Sequence, residues 1–146
     1  MTKQDHINYW LNTANDNWAD VQRMFKARSY VPCLFFTHLV FEKLAKALWV
    51  KHNEGSTPPR MHNILSILNR TEIELTIEES SFFEQLNAFQ METRYPSYRE
   101  MLARTTNRKM TKEILDIALI YKQNLITLGS YWVSSYCYKK PEWVLT

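Results

Sequence analysis

The run from Val31 to Val50 constrains the fold more than any other part of the chain. Leu34, Phe35, Phe36, Leu39, Val40, Phe41, Leu44, Ala45, Ala47, Leu48 and Trp49 cover nearly every side of a helical cylinder, so other elements must wrap it. His38, Glu42, Lys43 and Lys46 interrupt the run, and that many ionisable groups in one segment are costly in a bilayer. A buried central helix of a soluble, non-membrane protein fits both facts. It should run from about Pro32, a residue tolerated in a first helical turn, to about His52.

The other segments read as helices too. Gly55 and Gly129 are the two glycines of the chain, and no alternating strand pattern bounded by hairpin turns occurs. From Asp5 to Lys26, apolar residues at Ile7, Trp10, Leu11, Ala14, Trp18, Val21 and Phe25 fall at three-and-four spacing, which lines one helix face. Asn53 to Arg60 holds Gly55, Pro58 and Pro59 and reads as the main loop, followed by a short helix over Met61 to Leu68. A fourth helix is expected over Ile77 to Met91, with Phe82, Phe83, Leu86 and Phe89 inward and Glu78, Glu79 and Glu84 near its start. Pro96 should end it near Thr93 and leave Arg94 and Tyr95 in a turn. A last helix from about Thr111 to Trp132, capped by Thr111, precedes a tail over 133–146 that packs on the domain or on another copy. The fold class is all-α, an antiparallel bundle of four to five helices. One domain should span 1–146, with its core over about 4–132.

Length supports one core: 146 residues, 45% apolar and 14% aromatic, suit a single compact unit. Eighteen Lys and Arg against fifteen Asp and Glu leave a formal charge of +3, too small and dispersed to imply nucleic acid by itself. Cys33 and Cys137 lack CxxC spacing, which argues against a zinc site and a disulfide framework and suits a reducing cytoplasm. The opening Met1 to His6 leads into an amphipathic pattern rather than a signal-peptide core, so export is not expected.

The interrupting charges form a pattern. His38, Glu42 and Lys46 recur every four residues and make one polar row, with Lys43 one step beside it. An intrahelical Glu42 to Lys46 pair at the solvent edge is one reading, worth a few tenths of a kcal/mol in the exposed case. A ligand site is the other, because buried charges are costly without partners, and a carboxylate with one or two lysines can hold an anion or a polar group. His38 and Glu42 have a spacing open to metal, but no third or fourth ligand lies near, so no metal is expected. His62 follows Pro58-Pro59-Arg60-Met61 at the start of the short helix and is placed either to assist binding or proton transfer or to hydrogen-bond the loop. Arg94 and Arg99 bracket Tyr95-Pro96-Ser97-Tyr98 and offer fork-like donors to phosphate or carboxylate; otherwise they tie the turn to helix C-termini. Tyr95 and Tyr98 are candidates for stacking on a base, with packing as the alternative. No P-loop or dinucleotide fingerprint can be built from two isolated glycines, and no serine or cysteine nucleophile arrangement is recognisable.

Tyr30-Val31-Pro32-Cys33-Leu34-Phe35-Phe36 leading into Phe41-Glu42-Lys43-Leu44-Ala45-Lys46-Ala47-Leu48, then Met61-His62-Asn63-Ile64-Leu65 and Thr93-Arg94-Tyr95-Pro96, appear in an order and spacing that resemble the HEPN family. These are helical domains named for higher eukaryotes and prokaryotes nucleotide-binding proteins. The resemblance spans most of the chain and implies a helical bundle, commonly dimeric. Many HEPN proteins resemble RNA-cleaving toxins that use an arginine followed four to six residues later by a histidine. That motif is missing: neither Arg28 nor Arg60 has a histidine at that interval, and none follows Arg70 or any later arginine. The Thr-Arg-Tyr-Pro variant looks like members that bind nucleotides or pair with small nucleotidyltransferases encoded beside them.

The expectation is a cytoplasmic, non-catalytic binding protein with no resident cofactor, for which the resemblance implies a homodimer and a nucleotidyltransferase partner in a toxin-antitoxin-like pair. Glu42, Lys43, Lys46, His62, Arg94 and Tyr95 are the expected ligand-binding residues, for a nucleotide or other phosphate-bearing ligand. The alternatives are a toxin-like ribonuclease using His62, Arg94 and Arg99, and a purely structural dimerising scaffold.

Overall fold

Thr2 starts the fold with a reciprocal cap. Its Oγ1 accepts the Asp5 N–H at 3.1 Å while the Asp5 carboxylate takes the Thr2 N–H at 2.8 Å, closing a capping box at the head of α1 (Lys3–Lys26). In this computed structural model the described residues are 1–90 and 95–130. They form six helices and no strand: α1, α2 (Tyr30–His52), α3 (Ile64–Leu68), α4 (Ile77–Asn87), α5 (Pro96–Thr105) and α6 (Arg108–Ser130). The all-α bundle stands, with one helix more than the sequence reading assigned. Thr93, Arg94, Trp132 and the tail over 133–146, Cys137 included, lie outside the described residues. Among the described residues no helix is long and apolar enough to cross a membrane.

A three-residue turn folds α2 back on α1. Ser29 N–H bonds the Met24 carbonyl at 2.9 Å and Arg28 N–H the Phe25 carbonyl at 3.1 Å, the paired hydrogen bonds of a Schellman ending, and Arg28 takes the left-handed conformation there at φ 59°. Pro32 then sits in the first turn of α2, where its missing N–H breaks no intrahelical bond. As its composition requires, α2 is enclosed: it packs on α1, α3, α4 and α6, and Leu34, Val40, Phe41, Leu44 and Leu48 are fully buried.

Helix α6 runs antiparallel to α1. Leu11, Trp18 and Phe25 of α1 meet Gly129, Lys122 and Arg108 of α6 respectively. At Gly129 a Cβ would stand 3.3 Å from Leu11 Cδ2, a tight contact that the leucine tip would have to relieve by a few tenths of an ångström. An aromatic cluster joins α2, α4 and α6: Phe41 meets Phe82 at 5.7 Å and Phe83 at 5.3 Å between ring centres, and Phe82 meets Tyr121 edge-on at 5.2 Å.

Four boundaries differ from the sequence expectation, the first being α3, which starts at Ile64 rather than Met61 because Asn63 caps it. Helix α4 begins with a Thr76 to Glu79 capping box but ends at Asn87 rather than Met91, because Ala88, Phe89 and Gln90 each bond a carbonyl only three residues back and tighten the chain out of the helix. Helix α6 starts earlier than Thr111: Asn107 Oδ1 accepts the Met110 N–H at 2.9 Å, while Thr111 is buried inside the first turns with its hydroxyl on the Asn107 carbonyl at 2.8 Å. Helix α5 has Pro96 at its first position, where proline favours a helix start.

Candidate functional site

Four-residue spacing along α2 does bring the charges together, and it brings them inside. His38 is 0% exposed, Glu42 5% and Lys46 9%. The reading of an ion pair at the solvent edge therefore gives way to a buried one. Lys46 Nζ donates to Glu42 Oε1 at 2.8 Å and lies 5.4 Å from the centre of the Trp10 ring of α1, so its stem is packed and its head is held by charge and by a π face.

His62 reaches the same carboxylate oxygen from the other side. Its Nδ1 is 3.1 Å from Glu42 Oε1, and an ionised carboxylate only accepts, so Nδ1 carries the proton and donates. The half-exposed His62 is the member of the group that reaches water. Its position is set by two asparagines. Asn63 caps α3, with Oδ1 accepting the Ser66 N–H at 3.1 Å; the same oxygen takes Asn87 Nδ2 at 3.2 Å, and Asn87 Oδ1 takes the Ile64 N–H at 3.2 Å. The start of α3 is thereby tied to the end of α4, and the residue just before the cap is held over α2.

One side of the cluster is incompletely satisfied. His38 Nδ1 lies 3.8 Å from Glu42 Oε2, beyond hydrogen-bond range, and both His38 nitrogens and Glu42 Oε2 are buried without a hydrogen-bond partner among the described residues. Burial holds the His38 imidazole below its ordinary range. The Glu42 charge, the Asn87 side chain and the His62 backbone pull the other way.

The remaining expected residues are distributed differently. Lys43 leaves the row: half-buried, it donates to Asn17 Oδ1 of α1, and burial lowers its pKa against the opposing charges of Glu42, Asp16 and Asp20. Tyr95 is 80% exposed at the head of α5, with its ring in solvent rather than on the buried cluster. Arg99 is exposed on α5, and Tyr98 ties that helix to α4 through its hydroxyl on the Ala88 carbonyl at 3.1 Å. Arg94 lies outside the described residues. Glu42, Lys46 and His62 thus meet; Lys43 and Tyr95 do not join them. Among the described residues no group of three or more His, Cys, Asp or Glu side chains is arranged to hold a metal ion.

Trp10, Asn63 and Asn87 belong to the cluster although the sequence pattern gives them no part in a site. Asn63 stands immediately before the apolar Ile64-Leu65, a helix-cap position that was there to be found. Trp10 reads as core by its spacing, and half of that reading holds, since the ring is partly buried against the core. Asn87 carries no local signal.

A family model described as the HEPN domain matches residues 7–127. The chain belongs to the HEPN domain family. The match runs from α1 to α6, so the Glu42 cluster and the asparagine pair lie inside the HEPN domain. No curated protein and no solved structure matches the chain.

Proposed function

We propose that this HEPN domain is a non-catalytic binding and interaction module whose Lys46 and His62 receive a nucleotide or another phosphate-bearing ligand, with Glu42 holding both donors until the ligand takes them. The observation that carries the reading is the meeting of Lys46 and His62 on one buried carboxylate beside three buried polar atoms that have no hydrogen-bond partner among the described residues. A purely structural ion pair has no need of the half-exposed histidine, whereas a ligand arriving from solvent does. Arg94 adds a second positive charge to the proposed site, whereas Tyr95, its ring in solvent, and Lys43, held on Asn17, stand outside it. By family likeness the module works as a cytoplasmic homodimer that pairs with a small nucleotidyltransferase in a toxin-antitoxin-like system.

Calorimetric titration of nucleotide-free protein with a panel of common nucleotides tests this. Binding that weakens at least about tenfold in His62→Ala, the worth of one hydrogen bond to a charged group, is the expected result. No binding to any nucleotide overturns the ligand reading and leaves the scaffold.

One observation favours a second reading. The Glu42 to His62 hydrogen bond fixes the tautomer and direction of an imidazole, which is also what proton transfer requires. A ribonuclease of this kind would use His62 with Arg94 and Arg99 stabilising the charged phosphorane. Cleavage of total RNA that is abolished by His62→Ala and by Arg94→Ala distinguishes it.

A further inference from the structure

Glu42 holds the two donors that the proposed phosphate would need. Its Oε1 takes the Lys46 ammonium at 2.8 Å and the His62 Nδ1–H at 3.1 Å, the same two donors that the proposed site offers to an anion. The His62 Nδ1–H is a single donor, so a phosphate can take it only if the carboxylate gives way. The space behind Glu42 is already furnished for that: Oε2 faces His38 Nδ1 at 3.8 Å, and neither atom has another hydrogen-bond partner among the described residues.

We propose that Glu42 is a resident stand-in for the ligand's phosphate, and that binding shifts its carboxylate from Lys46 and His62 onto His38, which takes one proton from solvent. This inference rests on the phosphate-binding reading above. Charge balance demands the proton. In the free site Glu42 and Lys46 neutralise one another; once Lys46 serves the phosphate, a buried carboxylate is left without a counter-charge, and such a group is costly until a cation forms beside it. His38 is the group within reach. Glu42 on its own helix and His62 from the segment before α3 are the titratable side chains that face it, with Lys46 one turn further along α2, and α4 contributes the neutral amide of Asn87. The imidazole is neutral in the free site because it is wholly buried, and Asn87 and the His62 backbone stand ready to favour its charged form. A direct contact with Glu42 then raises its pKa in the bound state. The contribution to binding is full below the free-state pKa of His38 and is lost as pH rises through the bound-state value, so affinity falls with rising pH.

Calorimetry with ATP as the probe, run in buffers of different ionisation heat near neutral pH, reads the proton directly. Wild type should take up about one proton more per ATP than H38Q, a difference from which the phosphate's own ionisation cancels. E42Q, in which a neutral amide replaces the competing anion, should bind ATP about tenfold more tightly than wild type, the value of one charge-assisted hydrogen bond released to the ligand. An NMR titration of the His38 imidazole in unsubstituted protein measures the same event without relying on either variant, and its pKa should rise when ATP is added. ATP binding with equal proton uptake in wild type and H38Q, with no rise in the His38 pKa, or with weaker affinity in E42Q overturns the exchange while leaving the phosphate site intact. Absence of any ATP binding overturns the site and the exchange together.

Discussion

Lys122 of α6 lies over the ring of Trp18 of α1, its Nζ 5.2 Å from the ring centre, in a position only 6% exposed where it makes no hydrogen bond or ion pair among the described residues. The π face compensates part of the cost of taking an ammonium out of water, and burial depresses its pKa. Lys122→Met keeps the length of the stem, removes the charge and gives sulfur an aromatic neighbour. It should stabilise the fold by about 1 kcal/mol in urea unfolding at neutral pH, as replacement of a poorly paired buried charge does. The sign of the pH dependence follows from the depressed pKa: the unfolded lysine binds its proton more tightly, so wild-type stability rises as pH climbs from the folded value toward the ordinary 10.5, and the advantage of Met shrinks over that window. A pH-independent gap between the two proteins would show that the charge of Lys122 is not the cause.

The α1 to α2 turn contains a second local conflict. Arg28 holds φ 59° at the residue that closes the Schellman ending, a position that glycine fills without a Cβ penalty. The left-handed conformation costs a side-chain-bearing residue about 1–2 kcal/mol, and the greater freedom of glycine in the unfolded chain returns about half of that. Arg28→Gly should therefore gain about 0.5–1 kcal/mol, and Arg28→Val, β-branched at positive φ, should lose at least about 1 kcal/mol. The pair of substitutions, compared by denaturant midpoint at unchanged slope, separates backbone strain from any contribution of the guanidinium.

Removing one partner of the buried pair on α2 should be far worse than removing both. With Glu42 at 5% and Lys46 at 9% exposure, Glu42→Ala leaves an ammonium enclosed without its carboxylate and should cost about 3–5 kcal/mol. Combining Lys46→Met with Glu42→Leu restores apolar packing against Trp10 and should recover most of that loss. A double-mutant cycle by urea unfolding measures the coupling. Additive losses would mean that the two side chains act independently despite their 2.8 Å contact.

How much of this was legible in the sequence depends on the range of the forces involved. The paths of α1 and α2 were readable because local chemistry and the apolar pattern agree: a stripe at three-and-four spacing on one, an all-round apolar surface on the other, and a proline compatible with a first turn between them. Helix α5 was not. Its buried apolar residue is Leu102, too little for a stripe, and Pro96, which by pattern reads as a helix stop, is the first residue of the next helix. The polar row was visible as a spacing, but its burial was not, because His62 reaches Glu42 only through the pairing of Asn63 with Asn87, residues far apart in sequence that no local pattern connects. Lys43 shows the same limit from the other side. One position away from the row, it turns to Asn17 of another helix.

The end of α2 carries a pH-sensitive tie of its own. His52 accepts the Glu72 N–H on Nδ1 at 3.0 Å, while Asn53 next to it donates to the Trp49 carbonyl at 2.9 Å and to the Arg70 carbonyl at 3.0 Å, so the last turn of α2 fastens the segment after α3. An imidazole nitrogen that accepts cannot hold a proton, and burial, with Lys51 adding to it and Glu72 opposing, lowers the pKa of His52 below the usual 6.5. The unfolded chain therefore binds this proton more readily. The stabilising effect is complete above about pH 6.5 and is lost as pH falls from there through the folded value, and His38, depressed in the same direction by burial, adds to the slope. His52→Gln keeps an acceptor for the Glu72 amide but removes the titration, so it should flatten the acid limb of the stability profile without abolishing it, since His38 still titrates. Hydrogen exchange at the Glu72 amide gives the local reading: protection in wild type should fall on acidification beyond the change in intrinsic exchange, and protection in His52→Gln should not. Equal acid sensitivity in both proteins would place the proton elsewhere.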